Sequence, residues 1–263
     1  MTGGSGFLGS AICRGLVAAG AEVVNLDDMS RGDQRRLEGV ERVGTRHGDV
    51  RVLEDVIQAA SGCEVLWHLA AVNGTRHFYE RPDVVLEVGL KGTLNAIDAA
   101  LHAGCRRLVF FSSSEVYQTP PQVPTTEDVR LIVPDVHNPR LSYGGGKIAG
   151  ELAALHIGQR RGLEVIIIRP HNIYGPDMGH EHVIPEFTKK LITLRHTQSG
   201  PSYTLPIQGT GDETRAYCFI DDAVRGSLLA ANHGTSGDIF HLGHDRETSI
   251  KELVASMAAA LNM

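Results

Sequence analysis

The chain has 263 residues, 42% hydrophobic and 21% charged, which is globular material for one large core or a core with a smaller lobe. A net charge of -6 gives no general attraction to nucleic acid or an anionic membrane surface, and no apolar run is long enough to span a bilayer. Cys13, Cys63, Cys105 and Cys218 lie far apart without a CxxC pair, so they read as reduced thiols of a cytoplasmic protein rather than a disulfide framework or a metal set.

In chain order, the glycine turn MTGGSGFLGS leads directly into a helical stretch, LGSAICRGLVAAG. AEVVNL (21–26) follows as a short β-branched strand after Gly20. VLEDVIQAA reads as a helix, EVLWHLAA (64–71) as a strand, and GTLNAIDAALHAG as the next helix. RRLVFFSSS (106–114), KIAGELAALHIGQRRG and LEVIIIRP (163–170) continue the alternation. Near-continuous apolarity marks strands covered on both faces, and the alternation implies an α/β fold with a doubly wound parallel sheet. After Pro170 the pattern loosens into HNIYGPDMGHEHVIP and RHTQSGPSYTLPIQGTGDETR, then two late helices, DDAVRGSLLAAN and SIKELVASMAAALN. Thr248 or Ser249 is the expected N-cap of the last one. Residues 171–263 are thus expected as a smaller lobe interleaved with the sheet of residues 1–170.

Three stretches carry candidate chemistry. Gly3, Gly6 and Gly9 form GxxGxxG at a helix start, where a pyrophosphate could approach the backbone and meet the helix N-terminus; a mobile glycine-rich leader is the alternative. Asp27 ends the second expected strand, the place of a carboxylate on a ribose diol, and Asp28 beside it would repel a 2′-phosphate, favouring NAD over NADP despite Arg31 nearby. In YGGGK, Tyr143 and Lys147 share one helix face, so a cation would lower the tyrosine pKa and make it a usable base. Three helical glycines between them break a local rule and suggest close approach of a bound molecule. SSSEVY (112–117) ends a strand where α/β ligands sit, and its hydroxyls could pass a proton to Tyr143; a solvated serine loop is the bland reading. His180 and His182 lack a third ligand nearby, so no metal is expected, and His171 is open between lining a site and packing.

TGGSGFLG, SSSEVY and YGGGK, with RPHNIYGP and TRAYCFIDD, resemble the extended short-chain dehydrogenase/reductase family over essentially the whole chain, and within it the NAD-dependent nucleotide-sugar epimerases and dehydratases. The resemblance implies a Rossmann-type domain over 1–170 and a substrate-binding lobe over 171–263. It places Gly3, Gly6, Phe7 and Leu8 at the pyrophosphate, and Asp27, Ser30 and Gly32 at the adenosine ribose. Asp49 and Val50 would meet the adenine, Leu69, Ala70 and Ala71 run along the cofactor, and Pro170 flanks the nicotinamide. Ser113, Tyr143 and Lys147 match the catalytic set. Ser114, Asn172, His182, Val183 and Arg215 are placed with the nucleotide-diphosphate sugar. Glu115 falls where dehydratases and sugar-acid decarboxylases carry a catalytic glutamate, leaving 4-epimerase first, dehydratase or decarboxylase second, and a non-catalytic dinucleotide sensor as a different class. Gly89 and Ala216 stand where relatives carry asparagine and aspartate. A homodimer through GTLNAIDAALHA and GGGKIAGELAALHI is implied. Only Met1 precedes the glycine turn's threonine and the last helix ends the chain, so the first strand and a C-terminal part are expected to lie outside this sequence.

Overall fold

The computed structural model describes residues 1–180, 182–198 and 202–263. The elements run α1 (Phe7–Ala18), β1 (Val23–Asp27), β2 (Val43–His47), α2 (Leu53–Ala60), β3 (Val65–His68), α3 (Thr75–Glu80) and α4 (Pro82–Leu86). A π-turn at Glu87–Lys91 joins α4 to α5 (Gly92–His102), followed by β4 (Arg107–Phe111), α6 (Ser142–Ala153) and β5 (Glu164–Pro170). Then come β6 (Asn172–Tyr174), α7 (Val183–Thr197), β7 (Thr214–Phe219), α8 (Ile220–His233), β8 (Ile239–Leu242), β9 (Glu247–Ser249) and α9 (Ile250–Ala260).

The main sheet is parallel, with β2 beside β1 and β3, β4, β5 and β8 in succession. Met1 and Thr2 hold the place between β1 and β3, where the sequence shows no strand. Thr2 bridges in parallel to both Leu26 and His68. The ladder is real although short: Leu26 N–H donates to Met1 O (2.8 Å), Gly3 N–H to Leu26 O (2.8 Å), Thr2 N–H to Trp67 O (2.9 Å) and Leu69 N–H to Thr2 O (3.1 Å). The strand order therefore reverses at the glycine turn, the crevice where ligands of such sheets sit.

The unbroken apolar runs of β4 and β5 have a direct cause. Leu108, Phe110, Val165 and Ile167 face α2, α5 and α6 on one side, while Val109, Phe111, Ile166 and Ile168 face α1 and α8 on the other. The stretch after Pro170 returns to this sheet through β8, and β6, β7 and β9 form a small second sheet. Ser249, not Thr248, caps α9, in a capping box with Glu252. No described helix is long and apolar enough to cross a membrane.

Candidate active site

The glycine turn is built from inside. Asn25, fully buried in β1, accepts from Gly4 N–H through Oδ1 (2.8 Å) and donates from Nδ2 to Ser5 Oγ (2.9 Å). The polar side chain in the otherwise apolar VVNLDD run thereby pins the turn to the sheet. Gly3 has φ +74°, and a Cβ there would lie 2.8 Å from Ala70 N, so glycine is required for the turn to nest against the Leu69–Ala71 strip. The following helix starts at Gly6 with no side-chain cap, leaving the N–H groups of its first turn, Phe7 and Leu8 included, facing the crevice.

Asp27 is 8% exposed and accepts Ser5 N–H on Oδ2 (2.9 Å) and Met29 N–H on Oδ1 (3.0 Å). Burial raises its pKa, against those two hydrogen bonds. Each oxygen keeps a second lone pair, as a ribose diol requires. Gly32 lies against it, since a Cβ there would be 2.6 Å from Asp27 Oδ1. Ser30 is occupied locally: its N–H and hydroxyl both go to Asp28 Oδ1 (2.9 and 2.6 Å). Asp49 is likewise closed by Arg51 (2.6 Å), which holds its carboxyl below the usual range. Val50 is buried, its carbonyl taking Asn95 Nδ2–H (2.8 Å). An uncapped helix start, a close-packed glycine turn and a carboxylate with spare acceptor capacity fit a dinucleotide.

The second half of the site gathers at the ends of β4 and β5. Tyr143 and Lys147 lie on the buried face of α6, and Ser113, just past β4, lowers the Tyr143 pKa. Lys147 Nζ donates to Phe111 O (2.7 Å) and stands 5.7 Å from the centre of the Tyr143 ring. Burial pushes Tyr143 up to about 12, with Ser113 lowering it, Glu115 raising it and Arg31 lowering it. Burial pulls Lys147 down to about 8, opposed by the Glu151 carboxylate. The sequence spacing thus places base and cation on one buried helix face, and burial is the largest influence on the Tyr143 phenol.

Glu115 is fixed three ways. Its N–H donates to Ser113 Oγ (3.2 Å), its carbonyl takes Gln118 Nε2–H (2.5 Å), and its carboxylate pairs with Arg140 Nη2 (2.9 Å). The Arg140 guanidinium lies 4.9 Å over Phe78, whose ring stacks on Tyr143 at 5.4 Å. This layer explains part of the glycine triplet. A Cβ at Gly144 would sit 2.8 Å from Glu115 O, whereas at Gly146 it would meet only Leu86 Cδ2 at 3.8 Å. At Gly144 the close approach is made by the chain's own backbone.

Around them, Pro170 ends β5 opposite Leu242, and Asn172 donates to Ala216 O (3.2 Å), tying β6 to β7. Arg215 is exposed on β7 and donates to Thr214 O (2.7 Å). His182 occupies the position before α7, which Val183 begins, and Ser114 follows Ser113 in the SSSEVY turn. His171 stacks edge-on against His241 at 5.0 Å, and its Nε2 is buried without a partner among the described residues. At Gly89 a Cβ would meet nothing within 4 Å, and its carbonyl takes the Thr93 hydroxyl (2.6 Å). Thr93 in turn contacts His68 Nε2 (3.2 Å), and His68 Nδ1 contacts Thr2 Oγ1 (2.8 Å). Asn25, Phe78 and Arg140 escape a motif search because their partners lie far away in sequence. The signal for Asn25 is a polar residue inside an apolar strand.

Residues 1–243 match the NAD dependent epimerase/dehydratase family. The chain belongs to that family. It is 34% identical to a UDP-glucose 4-epimerase of Mycolicibacterium smegmatis over 99% of this chain and 82% of the relative. It is 31% identical to a UDP-N-acetyl-alpha-D-glucosaminuronate decarboxylase of Bacillus cytotoxicus, over 96% of this chain and 77% of that one. Among solved structures it resembles DesIV, a dTDP-glucose 4,6-dehydratase from Streptomyces venezuelae with NAD bound, at 30% identity and a TM-score of 0.86, covering 99% of this chain and 80% of DesIV. The family member described here is an NAD-dependent enzyme of the nucleotide-sugar epimerase/dehydratase type, with a Rossmann-type fold.

Proposed function

We propose that this enzyme oxidises the C4 hydroxyl of a nucleotide-diphosphate hexose to a ketone and returns the hydride to the other face, a 4-epimerisation. The observation that carries the reading is the convergence of Ser113, Tyr143 and Lys147 at one strand end, with the Glu115 carboxylate drawn to Arg140. NAD, when bound, supplies the hydride acceptor. Tyr143 takes the hydroxyl proton, Ser113 relays it, and Lys147 supplies positive charge beside the tyrosinate. Gly3, Gly6, Phe7 and Leu8 hold the pyrophosphate and Asp27 the ribose. Residues 1–170 form the cofactor lobe, and residues 171–263 bring Asn172, His182, Val183 and Arg215 to the sugar nucleotide.

The second reading, dehydration or decarboxylation through Glu115, draws support from the charge of Glu115 acting on Tyr143. The two separate when UDP-, dTDP-, GDP- and CDP-sugars are incubated in deuterated water and followed by NMR. Inversion at C4 without deuterium supports epimerisation; deuterium at C5 with loss of the C6 oxygen supports dehydration, and release of carbon dioxide from a sugar acid supports decarboxylation. Turnover unchanged in Tyr143→Phe would overturn both.

The enzyme is further proposed to be a cytoplasmic homodimer. Leu86, Leu90 and Leu94 follow one another at four-residue spacing along α4, the π-turn and α5. With Leu152 on α6 and Ile157 on the π-turn that continues it, they leave large apolar side chains in water on neighbouring helices. Sedimentation should give a dimer for the native chain and a monomer for Leu94→Glu; a monomeric native chain would refute the proposal.

A further inference from the structure

Beyond Tyr143 and Lys147, α6 carries a third buried polar residue on the same face. Glu151 lies one turn after Lys147, as Lys147 lies one turn after Tyr143, and is 3% exposed. Both of its oxygens are taken by Arg169 of β5, itself 2% exposed: Nε to Oε1 at 2.8 Å and Nη2 to Oε2 at 2.6 Å. Arg169 Nη1 points away, donating to the Tyr117 hydroxyl and to Glu127 O (2.9 Å). The interior behind the site therefore holds two cations and one carboxylate. That carboxylate is bidentately committed to the guanidinium, so the ammonium of Lys147 is left to Phe111 O and the site.

We propose that Glu151, clamped by Arg169, is the positioning residue for Lys147: its carboxylate keeps a buried ammonium charged, and the clamp keeps that carboxylate from drawing the ammonium away from Phe111 O. A lysine sealed from water tends to shed its proton, and Lys147 is lowered to about 8 by burial while Glu151 pushes the other way. The other titratable and charged groups around Lys147 do not replace Glu151. Facing it, His68 on β3 is held neutral, its pKa lowered to about 3 by burial and by Lys147, and Tyr143 on α6 is neutral with a pKa raised to about 12. Glu115 and Arg140 pair with each other. Asp83, Glu87 and Lys91, on α4 and the π-turn packed against α6, are exposed to water. Without Arg169 the carboxylate would be free to take Lys147 as its own partner.

The proposal builds on the reading of Lys147 as the cation of the catalytic set, but it is tested in the free protein, where turnover plays no part. The sequence has five lysines, Lys91, Lys147, Lys189, Lys190 and Lys251, so side-chain ¹³Cε NMR of labelled lysine resolves a Lys147 signal that Lys147→Met identifies. Glu151→Gln should lower the Lys147 titration midpoint by about one to two pH units. If that variant does not fold because Arg169 is left uncompensated, Glu151→Gln combined with Arg169→Gln removes both charges. It should lower the midpoint in the same direction, since Glu151 and not Arg169 is the charge that acts on Lys147. Arg169→Lys, which keeps a charge, should leave the midpoint within about 0.5 unit. A folded Glu151→Gln or double variant whose midpoint matches the native one overturns the proposal, because a merely structural pair would lower the melting temperature without moving that titration.

Discussion

The Asn25 clamp makes a quantitative test of how the glycine turn is held. Asn25→Ala would strand a buried amide, Gly4 N–H, and the fully buried Ser5 hydroxyl, each now satisfied at 2.8 and 2.9 Å. At about 1–3 kcal/mol per unsatisfied group, the loss is about 2–6 kcal/mol, which in a chain of this size lowers Tm by roughly 10 °C. Gly4→Ala fails for a related reason: its Cβ would sit 2.7 Å from Asn25 Cγ and 3.1 Å from Cys13 Sγ, an overpacking worth about 1–3 kcal/mol. In the double variant the new methyl group finds the space that Asn25 vacated. The cycle should therefore be non-additive, with the pair less destabilised than the sum by about 1 kcal/mol or more. Urea unfolding of the four proteins measures it, and NAD titration calorimetry should show weaker binding in Asn25→Ala. Additivity within about 0.5 kcal/mol would refute the idea that Asn25 and Gly4 compete for the same space.

Within the glycine triplet, Gly144→Ala should push the SSSEVY turn through Glu115 O and lower kcat about 10-fold or more, whereas Gly146→Ala should stabilise α6 by about 0.5–1 kcal/mol with activity kept. Equal behaviour of the two in activity and thermal melts would contradict this. His68 is buried neutral with its pKa lowered from 6.5 to about 3, so between those values the unfolded chain binds the proton and the folded one does not. Stability should then fall as pH drops below about 6.5, by up to about 1.4 kcal/mol per pH unit, and His171, lowered to about 4, adds in the same direction. Asp27, raised by burial, works the other way. Urea midpoints at about pH 7 and pH 5 should diverge less in His68→Gln than in the native chain; equal divergence would remove His68 from the account. In the free protein Tyr143, raised to about 12, should contribute no tyrosinate absorbance at about pH 9 relative to Tyr143→Phe, and a midpoint near neutrality would show that Lys147 outweighs burial.

Elements were legible where packing left its mark on consecutive residues. β4 and β5 are apolar on both faces because helices cover both faces, so their runs stand out in the sequence. β2 reads VGTRH because it lies at the sheet edge, mostly exposed, and nothing in that pattern announces a strand. α3 and α4 are short, are split at Pro82 and bury little beyond Phe78 and Val85, and α7 buries only Phe187 and Leu191 among its described side chains. The central place filled by Met1 and Thr2 is too brief to leave any period at all.

The candidate site divides along the same line. Tyr143 and Lys147 are readable because one helix spaces them, and Ser113 because it follows a strand that is itself readable. What the spacing does not encode is the balance of forces on them. Lys147 directs its proton to a backbone carbonyl, Tyr143 is buried, and the Glu151 carboxylate that acts on Lys147 is held by Arg169, a partner 18 residues further along the chain on another element. Such partners still leave a trace. Asn25 in VVNLDD and Arg169 in VIIIRP are polar residues embedded in runs that should be uniformly apolar, and a buried polar group costs stability unless something meets it. In this fold each is met by a residue that shapes the site: Asn25 by the glycine turn, Arg169 by the carboxylate behind Lys147. A polar interruption of a strand both of whose faces are covered therefore marks where the sheet reaches into its functional site, even when the partner cannot be read from the sequence.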